Sequence, residues 1–186
     1  MEISSQGLKY DRTVGLNLSV AVFLNIGTDH ISPVEHPTFE DYFESKLKIF
    51  DLARVAIINK NTMMFDQVME RAQRCEKVLT FSTTDSDATV WADEITPHQG
   101  MVTFTVHTPT WTGSAALPMS GLFNVENALA AITVAEYLGI REKDVVLPLM
   151  NVKVPGRMEL LSSPDNKVTG LVDYAHNKLS YQKLFS

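Results

Sequence analysis

The sequence predicts an α/β fold: a mostly parallel, doubly wound sheet that carries a small antiparallel β patch. Three observations predict it. First, the run at 20–26 is apolar, continuous and of strand length, 53–59 reads as a second buried strand, and 77–82 as a third strand. A continuous apolar run is the pattern of a strand buried on both faces of a parallel sheet. Second, apolar residues between these runs recur at helical spacing, so strands and helices alternate. Third, the stretch 88–117 holds short β-branched runs with no helical period, the texture of antiparallel strands.

Taken in order, the opening "MEISSQGLKYDR" shows no leader and no residue placed as an initiating cap. It reads as the interior of something longer. The run 20–26 ends in Asn25-Ile26-Gly27, and Asp29-His30 follows at once. Pro37-Thr38 then opens a helix, with Thr38 as N-cap and Asp41 placed to reach back to it. Phe39, Phe43, Leu47 and Phe50 supply its buried face, and Lys46 sits in its middle. Phe65, Val68, Met69 and Ala72 outline another helix. "NVENALAAITVAEYL" (124–138) reads as an amphipathic helix closed by Gly139. Val154-Pro155-Gly156 breaks the chain before "RMELLS" and "KVTGLVDYAHN", the latter a strand running into a polar end. There is no internal repeat.

At 186 residues the chain suffices for one domain, or one and a fraction. Its 45% apolar and 20% charged residues are ordinary for a globular protein. A net charge of −6, without a Lys/Arg run, argues against a nucleic-acid partner. The single cysteine, Cys75, excludes an internal disulfide and fits a reducing compartment. No apolar stretch approaches the ~20 residues needed to cross a bilayer, and a cytoplasmic protein is expected.

Several residues could carry chemistry. Asp29 and His30 stand where ligands of open α/β sheets gather, although a histidine there also serves as a hydrogen-bonded loop residue. Lys46 on its helix could equally be solvated. Asn124 and Asn127, three apart, share a face of the first turn, and a carboxamide offers the donor and acceptor that an adenine edge requires. Asn124 could alternatively be an N-cap. Arg157, just after the Pro-Gly break, could clamp phosphate. Asp173 could accept from ribose hydroxyls, or cap a helix.

Together these segments resemble the Mur ligases, the ATP-dependent enzymes that add amino acids to the peptidoglycan precursor. The likeness rests on "EISSQG", "NIGTDH", "FEDYFESKLKIF", "FNVENALAA" and "VPGRME" with "VDYAHN", five motifs in family order over nearly the whole chain. It is closest to the branch that extends UDP-N-acetylmuramoyl-L-alanyl-D-glutamate, and "ISPVEHPT" is similar to the lysine-adding type. The resemblance implies a carbamylated Lys46 that shares one Mg²⁺ with His30, and Glu2 as the acidic ligand of another Mg²⁺. It implies that Ser4, Gln6 and Arg12 hold the nucleotide-sugar peptide. It places Asn124 and Asn127 at adenine, and Arg157, Asp173 and His176 against ATP. The implied reaction passes through an acyl phosphate, which the amine of the incoming amino acid then displaces. A folylpolyglutamate-type relative, or a nucleotide-binding remnant without catalysis, is the alternative.

One family element is absent from the sequence: no G-x-x-x-x-G-K-[ST] phosphate loop occurs. The expectation is therefore an incomplete central ATP-binding domain (1–153), followed by the hinge and first strand of a C-terminal ligase domain (154–186). Such a chain is expected to be a monomer and inactive as a ligase on its own.

Overall fold

The computed structural model describes residues 1–28, 30–98, 100–119, 121–157, 159–175 and 180–181. Six strands form one sheet in simple sequence order: β1 (Leu18–Phe23), β2 (Ala53–Asn59), β3 (Lys77–Ser82), β4 (Val90–His98), β5 (Met101–His107) and β6 (Thr112–Leu117). The pairs β1–β2, β2–β3 and β3–β4 are parallel, while β4–β5 and β5–β6 are antiparallel. The antiparallel patch thus extends the parallel sheet edge to edge. Between Asp93 and Thr96 the β4–β5 register shifts, and Glu94 takes φ 50° at that irregularity.

Helices cover both faces, which explains the continuous apolar runs. On one face α2 (Phe39–Leu47), its 3₁₀ extension (Lys48–Leu52) and α3 (Phe65–Ala72) pack with Ala21, Phe23, Ala56 and Ile58. On the other, α4 (Leu122–Tyr137) and α5 (Glu142–Leu149) pack with Val55, Ile57, Leu79 and Phe81. Alternate residues of β2 therefore enter different cores, and both must be apolar. A short α1 (Ser5–Lys9) leans on α2. A separate hairpin, β7 (Glu159–Ser162) with β8 (Thr169–Val172), is exposed throughout.

Several expectations need correction. The opening segment does contain a cap: Ser4 Oγ accepts the Gly7 N–H at 3.1 Å and starts α1. Strand β1 lies at Leu18–Phe23, because its pairing with β2 stops at Phe23–Ile58 and the chain then peels away. Thr38 caps α2 by accepting the Asp41 N–H at 3.1 Å, but the Asp41 carboxylate turns elsewhere and no reciprocal box forms. Helix α4 is capped by Gly121, so Asn124 sits in its first turn instead of capping it. Eight of its residues are buried, including Val125, Leu129, Ile132 and Ala135, so its apolar surface is broader than one stripe. It ends in a Schellman motif: Gly139 takes φ 70° and the Ile140 N–H reaches Ala135 O at 2.9 Å. Helix α5 went unforeseen, its helical signal broken by Pro148.

One consequence of the strand order bears on the site. Strand β1 is an edge strand, and its sequence LSVAVF contains no charge and no proline.

Candidate functional site

A cavity of about 820 Å³ runs along β1, within the range of small-molecule sites. It is lined by Leu18 and Val20 to Phe23 of β1, and by Leu24 and Asn25 just beyond the strand. Small residues of α4, Ala130 and Ala131, keep one wall low, and Asn127 projects into the space from the same helix. Glu2 enters from the amino-terminal segment and Lys46 from α2. Three of the residues singled out in the sequence thus reach one cavity from three separate elements.

Lys46 is held firmly. Its Nζ donates to Asn25 O at 2.8 Å, and lies 5.2 Å from the Phe23 ring centroid and 5.5 Å from that of Tyr42. The carbonyl that accepts from Lys46 belongs to the segment that leaves β1, so the early end of the strand positions the lysine. His30 packs on the same Tyr42 ring, centroid to centroid 5.3 Å, and its Nδ1 lies 3.2 Å from Glu35 Oε2. His30 and Lys46 therefore share a neighbour beside the carboxyl end of β1. Asp29 and His176 lie outside the described residues.

The remaining sequence-predicted residues are more dispersed. Ser4 spends its hydroxyl oxygen on the α1 cap, Gln6 is half-buried on α1, and Arg12 is exposed, its guanidinium 5.8 Å from the Tyr10 ring. Asn124 is buried on α4, while Asn127 is exposed to the cavity. Arg157 lies over the Tyr174 ring at 4.9 Å, and Asp173 Oδ1 accepts the Ala175 N–H at 2.8 Å, both beside the exposed hairpin. Neither lines the cavity.

Among the described residues no group of three His, Cys, Asp or Glu side chains is placed to hold a metal. As an ammonium, Lys46 repels a cation; carbamylated, it would present anionic oxygen near the Asn25 carbonyl, in the cavity that Glu2 also lines. Hard oxygen donors of that kind suit Mg²⁺, so the donor set fits that ion with Lys46 in the modified form.

A second polar cluster had no sequence forecast. His36 is wholly buried, with its Nδ1 2.6 Å from Asp41 Oδ2 and its Nε2 2.9 Å from Ser5 Oγ. Lys9 Nζ donates to the same Asp41 oxygen at 2.7 Å and to Glu35 O at 3.0 Å. The Lys9 hydrogen bond, and after it that of His36, holds the Asp41 carboxyl below its ordinary range. Ser5 and His36 are separated by 31 positions, and no local pattern links them.

A family model described as the Mur ligase middle domain matches residues 1–135. This chain belongs to the Mur ligase family. Along its whole length it is 38% identical to the UDP-N-acetylmuramoyl-L-alanyl-D-glutamate–L-lysine ligase of Streptococcus sanguinis, of which it covers 37%. To the UDP-N-acetylmuramyl-tripeptide synthetase of Bifidobacterium longum it is 37% identical, over 99% of this chain and 37% of that protein. Among solved structures it superposes on a UDP-N-acetylmuramoyl-L-alanyl-D-glutamate–2,6-diaminopimelate ligase with TM-score 0.82 and 30% identity, covering 98% of this chain and 38% of the other. A D-alanyl-D-alanyl-adding ligase from Acinetobacter baumannii gives TM-score 0.76 at 26% identity, with 89% and 36% covered. This Mur ligase chain thus spans little more than a third of the relatives it matches.

Proposed function

We propose that this chain is the central part of an ATP-dependent, cytoplasmic ligase that adds L-lysine to UDP-N-acetylmuramoyl-L-alanyl-D-glutamate. The observation that carries this reading is the convergence of Glu2, Lys46 and Asn127 on one cavity at the edge of β1. Likeness along the full length to lysine- and tripeptide-named ligases favours this branch over polyglutamate-adding relatives.

In this reading the substrate's D-glutamate carboxylate attacks the γ-phosphorus of ATP, giving an acyl phosphate and ADP, and the lysine amine then displaces phosphate. Neither step requires a protein nucleophile, so the chain contributes position and charge. Asn127 meets the adenine edge, with Asn124 beneath it in the same turn. Ser4, Gln6 and Arg12 hold the nucleotide-sugar peptide, Arg12 by charge pairing. Glu2, His30 and carbamylated Lys46 would hold Mg²⁺, which neutralises charge developing on phosphate oxygens when bound. Arg157, Asp173 and His176 approach the nucleotide from the segment 154–186, taken as the start of the next domain after a central domain of 1–153. The chain acts as a monomer.

Calorimetric titration of this polypeptide tests the reading. The nucleotide-sugar dipeptide is expected to bind, and Arg12→Ala to weaken it by about tenfold, the loss of one charge-assisted contact. The isolated chain is expected to show no ligase turnover, since it has no phosphate loop. Failure of both the dipeptide and Mg-ATP to bind would reduce it to a structural remnant. Turnover by the isolated chain would refute the assignment of phosphate binding to a segment outside it.

A further inference from the structure

The Ser5–His36–Asp41 arrangement lies outside the roles assigned above, and its geometry is unusually complete. Asp41 is ionised, because Lys9 and His36 both hydrogen-bond to it and hold its carboxyl below the ordinary range. An ionised carboxylate only accepts, so at 2.6 Å the shared proton belongs to His36 Nδ1. That leaves Nε2. A second proton there would place a cation in a fully buried ring, facing a carboxylate oxygen that Lys9 already neutralises at 2.7 Å. The neutral ring satisfies both contacts without that penalty: Nδ1–H donates to Asp41, and Nε2 accepts the Ser5 hydroxyl proton at 2.9 Å.

The three partners belong to three different segments. Ser5 is the first residue of α1, adjacent to the capping Ser4 and one residue before Gln6. Asp41 stands in the first turn of α2, whose later residue Lys46 reaches the cavity. His36 lies in the segment between β1 and α2, and its ring packs at 5.1 Å on Tyr42, the ring that also touches His30 and Lys46. The link therefore joins the helix proposed to bind the dipeptide to the helix that presents the lysine.

We propose that His36 is a positioning residue: as the neutral Nδ1–H tautomer clamped by Asp41, it takes the Ser5 hydroxyl proton and fixes α1 against α2. Two consequences follow. The dipeptide-binding residues Ser4 and Gln6 are held in place before substrate arrives. The Ser5 oxygen, its only proton committed inward, faces any ligand as an acceptor, which suits an amide or hydroxyl donor and not a bare carboxylate. The part that concerns the dipeptide rests on the function proposed above; the part that concerns α1 does not.

The test uses this chain, with its His36→Asn, His36→Gln and Ser5→Ala variants. Asn places its amide where Nδ1 stands and loses the Ser5 contact; Gln reaches the Nε2 position and restores it. Nitrogen-15 spectra of the wild type at neutral pH should show His36 protonated at Nδ1 and bare at Nε2. Amide exchange at Leu8 and Tyr10 in α1 should quicken about five- to tenfold in His36→Asn and Ser5→Ala, the worth of one hydrogen bond, and recover in His36→Gln. Titrated with UDP-N-acetylmuramoyl-L-alanyl-D-glutamate, the same two variants should lose affinity by a similar factor, with Mg-ATP affinity unmoved. An Nε2–H tautomer, or α1 exchange unchanged in both variants, overturns the proposal. So does labelling of Ser5 by a fluorophosphonate, which would make it a nucleophile. A wild type that binds no dipeptide but shows the tautomer and the exchange pattern sinks the function and leaves the positioning role standing.

Discussion

The two halves of the sheet differ in how they bury their strands, and the difference locates the site. In β2 the last five residues, from Val55 to Asn59, are all buried, because helices cover both faces. In β5 burial alternates strictly, with Val102, Phe104 and Val106 inside and Thr103 and Thr105 outside. The parallel half thus has helices on either side of its strands, and cavity-lining groups come from both sides: Lys46 from α2 and Asn127 from α4. The antiparallel half has one covered face, and its outward side chains pair mainly with one another, as Thr105 does with Glu94. The cavity forms where two helical layers meet the β1 edge, and among the cavity-lining residues none comes from the antiparallel half.

Substitutions can break or sharpen that contrast. The largest effect is expected from Ile57→Ala, which empties a fully buried position between β2 and α4. It should cost about 2–5 kcal/mol in urea unfolding, and a loss below about 1 kcal/mol would mean that this core repacks freely. An intermediate effect, visible as pH dependence, is expected from Asp41→Asn. Since the folded Asp41 carboxyl lies below its ordinary value, it contributes stability above about pH 4 that is lost as pH falls through the lowered folded value. The variant should show a flatter acid limb in a series of urea midpoints, and an unaltered limb would mean that Lys9 and His36 do not hold the carboxylate in solution. The smallest effect belongs to Thr103→Ala on the outer face of β5, within about 0.5 kcal/mol; a larger loss would show that this face is covered.

The same contrast explains what the sequence disclosed. The bounds of β2 and β3 were legible to the residue: in β2 two-sided burial writes the apolar core Val55–Ile58, and in β3 Val78, Leu79 and Phe81 mark the strand among polar neighbours. For β4 to β6 the β-branched, partly alternating runs marked strands without fixing their ends. Strand β1 was misplaced because Ile26, buried at 4%, continues the apolar run after the ladder has ended, so burial and pairing came apart there. Helix α1 is only five residues long, too short to write a helical apolar period, so its Ser4 cap carries no sequence signal beyond a single serine. Glu2 and Lys46 were singled out by the family resemblance, and Asn127 by its spacing from Asn124 as well; all three line one cavity. His36 carried no sequence signal: Ser5 lies 31 positions away, and Asp41, five positions on, looks like a local cap yet serves Lys9 and His36.

The uncovered flank of β1 has a practical corollary. Six residues without charge or proline present a line of amide and carbonyl groups ready to accept another strand. Association through that flank, where it occurs, needs no unfolding of the core, so a charge or proline placed in β1 would block strand addition and leave the two buried clusters intact.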